Sequence, residues 1–344
     1  MNFLAVLKFL LIILLNFSFT ASIGHAYFQA RLPKEVFDVQ EPSARVHGEP
    51  GSMSYKVRDC RKISGANLRR RIVNTAIQEW SYFGFKIYDL IHTRDDNPNY
   101  KREPWKRPVI DSAEAMRVAD SIAGYWSSTP DSAWILERQN QSWNMRGGDI
   151  RWRNPWSAAF ISWVMCESGL GDLNRFARSV AHYSYIDQAI MSRATANSVS
   201  AFVAFDVGEK IIEPGDLLCR GSRPEYQTLA ERRSQIGVGA RTHCDIVIKL
   251  DPEKKRILLI GGNVRAWVSL KILPADFSND GLLIPAPYNG RRLFAHLKLQ
   301  ADEVENRVFE NSPSVQQLLC SGYDFYSLGI IDENSAKCMA QAKD

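Results

Sequence analysis

The sequence predicts an α+β protein, with helices in its first half and antiparallel strands in its second half. Apolar residues at helical spacing dominate residues 68–169, whereas short β-rich segments divided by turn residues dominate residues 213–299. Helices followed by consecutive strands are typical of an α+β domain. The 344 residues, 45% of them hydrophobic, are enough for one large core or two small ones.

The composition excludes several classes of protein. The chain has 43 Lys and Arg against 38 Asp and Glu, a net charge of +5, and no low-complexity run. A disordered, collagenous or repetitive chain is therefore excluded. The positive charge is too small and too evenly spread to indicate a nucleic-acid partner.

The N-terminus has the pattern of a secretory signal. Lys8 precedes the apolar run Phe9–Phe19, and small residues at Gly24–Ala26 provide a cleavage point. We therefore expect residues 1–26 to be a signal peptide and the mature chain to start near Tyr27. The expected location is the periplasm or cell envelope.

An uncleaved anchor in the inner membrane is the alternative, because residues 3–7 would lengthen the apolar run toward the roughly 20 residues that a spanning helix needs. No later segment is apolar enough, so no integral membrane segment is expected after cleavage. Residues 27–59, rich in Pro, Gly and charge without a period, predict an extended arm.

Two helices are predicted next. Apolar residues from Ile72 to Phe83 follow helical spacing up to Gly84. Asp111, with Glu114 three residues later, resembles a capping box and predicts a helix through Ala123.

Four strands are predicted in the second half, and the chain beyond them loses the strand pattern. We expect a domain over residues 60–300 and a C-terminal tail or small cap over residues 301–344. The strands are expected at residues 213–220, 243–250, 256–261 and 292–299.

Six cysteines in an exported chain permit disulfides. Cys320 with Cys338, or Cys219 with Cys244, would each form a plausible pair, while Cys166 is interpreted as a small buried apolar residue. No CxxC or CxxxH spacing is present, so neither a metal nor another cofactor is expected.

The segment from Asn154 to Gly169 carries the chemistry. Asn154 is a good N-cap, Pro155 suits the first helical position and Gly169 is a natural end, so Ser157 falls in the first helical turn. Free backbone N–H groups at a helix start can hold an oxyanion beside a nucleophile. A serine that only caps the helix is the alternative.

The order of the motifs along the chain resembles that of known protein families. The chain is similar to the papain-like amidases of bacterial cell walls, the CHAP and NlpC/P60 groups, and from about Leu68 to Leu299 it more closely resembles the bacterial domain of unknown function 2272. The residues that carry this closer resemblance are Glu79-Trp80, Pro155–Val164, His182, Tyr185-Ile186, Pro214–Asp216, His243–Asp245 and Gly261–Asn263.

The resemblance implies a papain-like fold, in which helices pack on a small antiparallel sheet or half-barrel, and an amidase-like site. Ser157 stands where the amidases have Cys, and Gly261 stands where many of them have an acidic residue that orients the histidine. A serine hydroxyl stays protonated, so His243 would have to act as a true general base. Asp245 or Asn263 would then fix its tautomer.

Four further residues complete the expected site. Asp245 is two residues from His243, so both side chains share a face of a regular strand and Cys244 points to the other. His182 is expected either as a substrate contact, as an alternative base or in simple packing. Tyr185 and Trp156 are expected as substrate contacts, although Trp156 also suits the core.

We expect an exported hydrolase that acts on amide bonds, with cell-wall peptides as its partners. Fold analogy supplies the substrate. The alternatives are an inactive binding module for an envelope ligand on the same fold, and an esterase or acyltransferase, since serine suits esters better than unactivated amides.

Overall fold

The computed structural model describes residues 30–331 and Cys338, apart from residues 64–66, 102–109, 148–149, 151, 153, 196–198 and 306. The expected signal peptide and the start near Tyr27 lie outside the described residues. Among the residues described, no helix is long and apolar enough to span a membrane.

Helices dominate the first half of the chain, as predicted. The described helices are α1 (Leu68–Tyr82), α2 (Ser112–Arg117), α3 (Ala119–Ser127), α4 (Ala133–Arg146), α5 (Ser157–Glu167), α6 (Tyr183–Thr195), α7 (Leu229–Arg233) and α8 (Pro313–Cys320). The helix predicted from Asp111 is interrupted at Val118, whose φ of −104° and ψ of 4° end α2 before α3 begins. Asp111 does cap α2, accepting from the backbone of Ala113 and Glu114.

A large mixed sheet forms most of the second half. The strands are β1 (Val46–His47), β2 (Ser54–Tyr55), β3 (Ile87–Asp89), β4 (Phe202–Phe205), β5 (Leu217–Arg223), β6 (Arg241–Asp251), β7 (Arg256–Val264), β8 (Trp267–Phe277), β9 (Leu283–Pro285) and β10 (Ala295–Leu299). The large sheet runs β3-β8-β7-β6-β5-β10-β4, with β9 added to β8, and only the β3–β8 pair is parallel. The α+β class is therefore confirmed.

Strand β8 is longer than any strand that the sequence predicted, yet it was missed. Both of its faces are buried: Val268 and Leu270 contribute to the core beneath the helices, whereas Leu273 and Ala275 contribute to a second core on the opposite face. A strand buried on both faces lacks the alternation of apolar and polar residues that identifies a half-buried strand.

Helix α5 lies at the centre of the molecule. All eleven of its residues are buried. Strands β6 and β7 pack on it from one side and α1 and α3 from others. It ends as expected, because Gly169 has a φ of +105° and its backbone lies against Ile63, leaving no room for a Cβ.

The predicted extended arm is fixed to the helices by buried ion pairs. Arg31 pairs with Glu79 of α1 at 2.6 Å, and Arg45 pairs with Glu167 at the end of α5 at 3.0 Å. The described part of the chain after residue 301 is likewise packed on the helices. Its Phe309 and Phe325 lie beside Trp80 of α1.

The six cysteines form three disulfides: Cys60–Cys166, Cys219–Cys244 and Cys320–Cys338. Both pairs that the sequence suggested are present. Cys166 is buried, as interpreted, but its sulfur is also bonded to Cys60, directly after the arm, which ties the end of the arm to α5. Cys60 lies 106 residues earlier in the chain, so local sequence gives no sign of this pairing.

Candidate active site

Ser157 is the first residue of α5. The cap is Trp156, not Asn154, so the helix starts two residues later than the sequence predicts and Pro155 precedes it. Trp156 keeps a non-helical backbone, and its ring is stacked between Phe83 and Tyr125 in the core. The later start leaves Ser157 in the first turn, where the helix dipole is positive.

His243 and Asp245 of β6 meet this helix start. Ser157 Oγ lies 2.9 Å from His243 Nδ1, and His243 Nε2 lies 3.0 Å from Asp245 Oδ1. The i, i+2 spacing on one strand places both side chains together, as predicted. The contact joins residues 86 positions apart in the chain.

Two further residues, Lys271 and Gly261, set the position of the Asp245 side chain. Its other oxygen is hydrogen-bonded and ion-paired to Nζ of Lys271 on β8, and both side chains are buried. Gly261 of β7 provides the space, because a Cβ there would stand 1.9 Å from Asp245 Oδ1. Gly261, which stands where the expected pattern has an acidic residue, thus makes room for the Asp245 carboxylate.

His182, just before α6, also contacts Ser157, and its ring centroid lies 5.1 Å from that of His243. Its Nε2 lies 2.9 Å from Ser157 Oγ, and its Nδ1 is contacted by the Cys244 backbone N–H at 3.2 Å and by the Tyr185 hydroxyl. The β6–β7 ladder ends at Ile246–Ile260, so the Cys244 N–H meets the imidazole instead of the neighbouring strand. Two hydrogen bonds between Ser162 and Ser179 hold the preceding loop on α5.

These contacts determine where the protons lie. A backbone N–H can only donate, so His182 Nδ1 is an acceptor and the proton of that ring is on Nε2. His182 therefore donates to Ser157 Oγ, and Ser157 donates to His243 Nδ1. His243 Nε2 then carries the proton that Asp245 accepts.

The electrostatics keep both imidazoles neutral. Burial lowers the pKa of His243 to about 4, with Lys271 and Arg220 adding to the effect and Asp245 opposing it. Burial also lowers the pKa of His182 well below its usual range. Burial alone would raise the pKa of Asp245, but His243 and Lys271 together hold it well below its usual range.

Backbone donors lie beside Ser157 Oγ. The first hydrogen bond of the helix runs from Phe160 N–H to Trp156 O, and no side chain caps the start. The N–H groups of Ser157, Ala158 and Ala159 consequently have no acceptor within the helix. These N–H donors stand at the helix start next to a hydroxyl that faces a neutral imidazole.

Three of the predicted site residues lie elsewhere than expected. Asn263 sits at the irregular end of β7 with a φ of +56°, and Asp245 occupies the His243 nitrogen that Asn263 would have bound. Trp156 is fully buried, so its ring offers no surface to a substrate. Tyr185 is 1% exposed and contacts His182 instead.

The expectation of His182 as an alternative base also fails. Its only unprotonated nitrogen already accepts from Cys244 and Tyr185, so it has no lone pair for the proton of Ser157. Sequence reasoning missed Lys271 because it missed β8. The single lysine in the apolar run of residues 267–275 was the available signal.

A family model describes a large part of this architecture. The model of an uncharacterized protein family conserved in bacteria, DUF2272, matches residues 114–297, more than half of the chain. The chain belongs to the DUF2272 family. Neither a curated protein nor a solved structure matches it.

The DUF2272 match runs from α2 to β10. It includes the interacting side chains of the site, namely Ser157, His182, His243, Asp245 and Lys271. It does not include the arm, α1 or α8. Within the described parts of the chain, no three His, Cys, Asp or Glu side chains are grouped to hold a metal ion.

Proposed function

We propose that this DUF2272 protein is an exported hydrolase that cleaves amide bonds, with Ser157 as nucleophile, His243 as general base and Asp245 as the group that orients His243. The observation that carries this proposal is the continuous hydrogen-bond chain from Asp245 through His243 to Ser157, with the Ser157 proton directed at an unprotonated nitrogen. A nucleophile, a base and an orienting carboxylate in contact are the requirements of acyl transfer by serine.

The reaction would proceed in two steps. Ser157 Oγ attacks the acyl carbon while its proton passes to His243 Nδ1, and the resulting imidazolium protonates the leaving amine as the C–N bond breaks. Water then attacks the acyl-enzyme, His243 accepts its proton, and the acid leaves as Ser157 recovers its hydrogen. Asp245 accepts the Nε2–H throughout and stabilises the imidazolium.

The helix start would stabilise the negative oxygen of the intermediate. The free N–H groups of the first turn of α5 lie at the positive end of the helix dipole, beside Ser157. His182 acts on the nucleophile rather than on that oxygen, because its Nε2–H donates to Ser157 Oγ. It positions Ser157 rather than taking its proton.

Analogy with a known layout supports the substrate and the fold family. A nucleophile at a helix start against an antiparallel sheet that carries the base is the layout of the papain-like amidases, and those enzymes suggest cell-wall peptides as substrate. Three disulfides support an oxidising compartment and therefore export. An esterase is the second candidate, favoured by the serine in the nucleophile position.

A fluorophosphonate probe tests the nucleophile without knowledge of the substrate. Such a probe forms a bond to phosphorus only from an activated serine oxygen, with loss of fluoride. We expect stoichiometric labelling of the wild type at Ser157, located by peptide mass spectrometry. Ser157→Ala and His243→Ala should each abolish labelling, because the residues act as one unit.

Ser162 provides a matched control, since it lies on the same helix and its hydroxyl binds the Ser179 backbone rather than a histidine. Ser162→Ala should keep the labelling of Ser157. Circular dichroism should show that Ser157→Ala is folded, because losing the hydrogen bonds of one buried hydroxyl costs only about 1–3 kcal/mol. The enzyme hypothesis would be overturned if the folded wild type is not labelled and does not hydrolyse wall peptides, amides or esters. The inactive binding module would then be the remaining hypothesis.

A further inference from the structure

Arg220 stands next to His243 on the neighbouring strand. In the β5–β6 pair Arg220 is directly opposite His243, and Leu218 is opposite Asp245. Residues directly opposite in an antiparallel pair share a face of the sheet, with Cβ atoms about 5 Å apart. Arg220 is thus the charged side chain beside the proposed base, on the side away from Asp245.

The charge of Arg220 has no counter-ion among the described residues. It forms no ion pair with any described residue: its only hydrogen bond is from Nη1 to Ser222 Oγ at 2.6 Å, and its Nε is buried without an acceptor. The other cation of the site, Lys271, is paired with Asp245. With His182 and His243 neutral, the site has one positive charge and one unmet donor in excess.

An unpaired guanidinium beside the proposed general base favours the binding of an anion there. Its charge attracts an anion to the neighbourhood of His243, and its planar fork matches the geometry of a carboxylate or a phosphate. The pKa of His243, low mainly through burial, is lowered further by Arg220, so the guanidinium acts within range of the base. A bound carboxylate would neutralise it.

We propose that Arg220 binds a carboxylate of the substrate, so that the preferred substrates are acyl compounds with a free carboxylate near the bond that is cleaved. This inference rests on the proposed function for its catalytic part. The carboxylate site itself is a property of Arg220 and the Nε donor beside His243, and it can be measured without turnover.

The kinetic test compares matched esters. The p-nitrophenyl monoesters of succinic, glutaric and adipic acids are compared with uncharged p-nitrophenyl esters of the same chain length. We expect wild type to have the higher kcat/KM for at least one carboxylate ester, and Arg220→Gln to reduce that preference about tenfold or more while the uncharged ester changes about twofold or less.

Arg241→Gln is the control. Arg241 is an exposed cation at the same end of the sheet, on β6 two residues from His243, but it is opposite Arg223 rather than the base. Its removal should leave the preference unchanged. Equal losses in both variants, or an unchanged preference in Arg220→Gln, would overturn the carboxylate site.

The binding test separates this inference from the proposed function. Glutarate is titrated calorimetrically into Ser157→Ala and into the Ser157→Ala/Arg220→Gln double variant, neither of which can turn over. Binding that is lost about tenfold or more without Arg220 supports the carboxylate site even if the wild type proves not to be an enzyme. No glutarate binding together with no ester preference would overturn it while fluorophosphonate labelling still stood.

Discussion

His243 uses its two nitrogens for two different partners. Nδ1 faces Ser157, while Nε2 faces Asp245, whose second oxygen is paired with Lys271. A carboxylate held by a buried lysine stays ionised and fixes both the tautomer and the orientation of the ring. In the proposed mechanism the lysine would act through Asp245 rather than on the substrate.

Asp245→Asn should reduce kcat/KM about 1,000-fold or more, because an amide no longer selects the tautomer with the bare Nδ1. It should also lower the free energy of unfolding by about 3 kcal/mol, because Lys271 is left buried without its counter-ion. Kinetics and urea unfolding measure the two effects.

The Asp245→Asn/Lys271→Met double variant distinguishes the effect of Asp245 on activity from its effect on stability. It removes both charges, so we expect stability to recover while activity does not. Recovery of activity together with stability would show that Asp245 serves folding only and has no role in orienting His243.

Activity should persist to unusually low pH. The active form has neutral His243, and burial lowers its pKa to about 4, so kcat/KM should stay level on the acid side until about pH 4 and fall below it. Lys271→Met removes a charge that lowers this pKa and should move the fall to higher pH. A fall centred near pH 6.5 in the wild type would contradict the burial argument.

The free energy of unfolding should also fall as the pH is lowered, because of the same shift in the pKa of His243. The folded-state pKa of His243 lies below its ordinary value of 6.5, so the unfolded chain takes up the proton first as the pH falls. The contribution of this group to stability is present above pH 6.5 and is lost between there and about pH 4.

At the scale of elements, β6 organises the site. It provides His243, Asp245 and the Cys244 backbone N–H, while the Cys219–Cys244 disulfide joins it to β5 at a pair of directly opposite residues. Strand β7 provides space for the Asp245 carboxylate, because Gly261 has no Cβ at that position.

Gly261→Ala should therefore displace Asp245 and reduce kcat/KM at least about tenfold, with a loss of stability of about 1–3 kcal/mol from overpacking. Gly239→Ala is the matched control, because a Cβ at Gly239 meets nothing within 4 Å and its φ is not positive. Equal activity of the two variants would show that Asp245 does not need its observed position.

At the scale of the whole molecule, the arm and the C-terminal segment complete the core around α5 and α1. The Cys60–Cys166 bond and the Arg45–Glu167 pair fix the arm to the helix that begins with Ser157. A disulfide that closes such a long loop strongly restricts the unfolded chain. The site is thereby built on a helix that cannot shift independently.

Native material should show both export and oxidation. Intact-mass spectrometry of the purified protein should give an N-terminus near Tyr27, and reduction should add six hydrogens for the three disulfides. Retention of Met1 in a membrane fraction would indicate the anchored form. A fully reduced native chain would contradict the oxidising location.

The sequence by itself determined the features that depend on near neighbours. The helical spacing before residue 84, the first-turn position of Ser157, the stop at Gly169 and the shared face of His243 and Asp245 follow from local backbone geometry. The three-residue spacing of His182 and Tyr185 was visible, but their hydrogen bond was not.

Tertiary structure decided everything that depends on distant contacts. The choice of Asp245 over Asn263, the pairing of Lys271 with that carboxylate and the donor role of His182 each require two or three strands or helices to meet. The late start of α5 has the same cause, since the stacked ring of Trp156 outweighs the local capping preference of Asn154. Burial among these elements, and not sequence spacing, lowers the pKa of His243 and keeps its ring neutral.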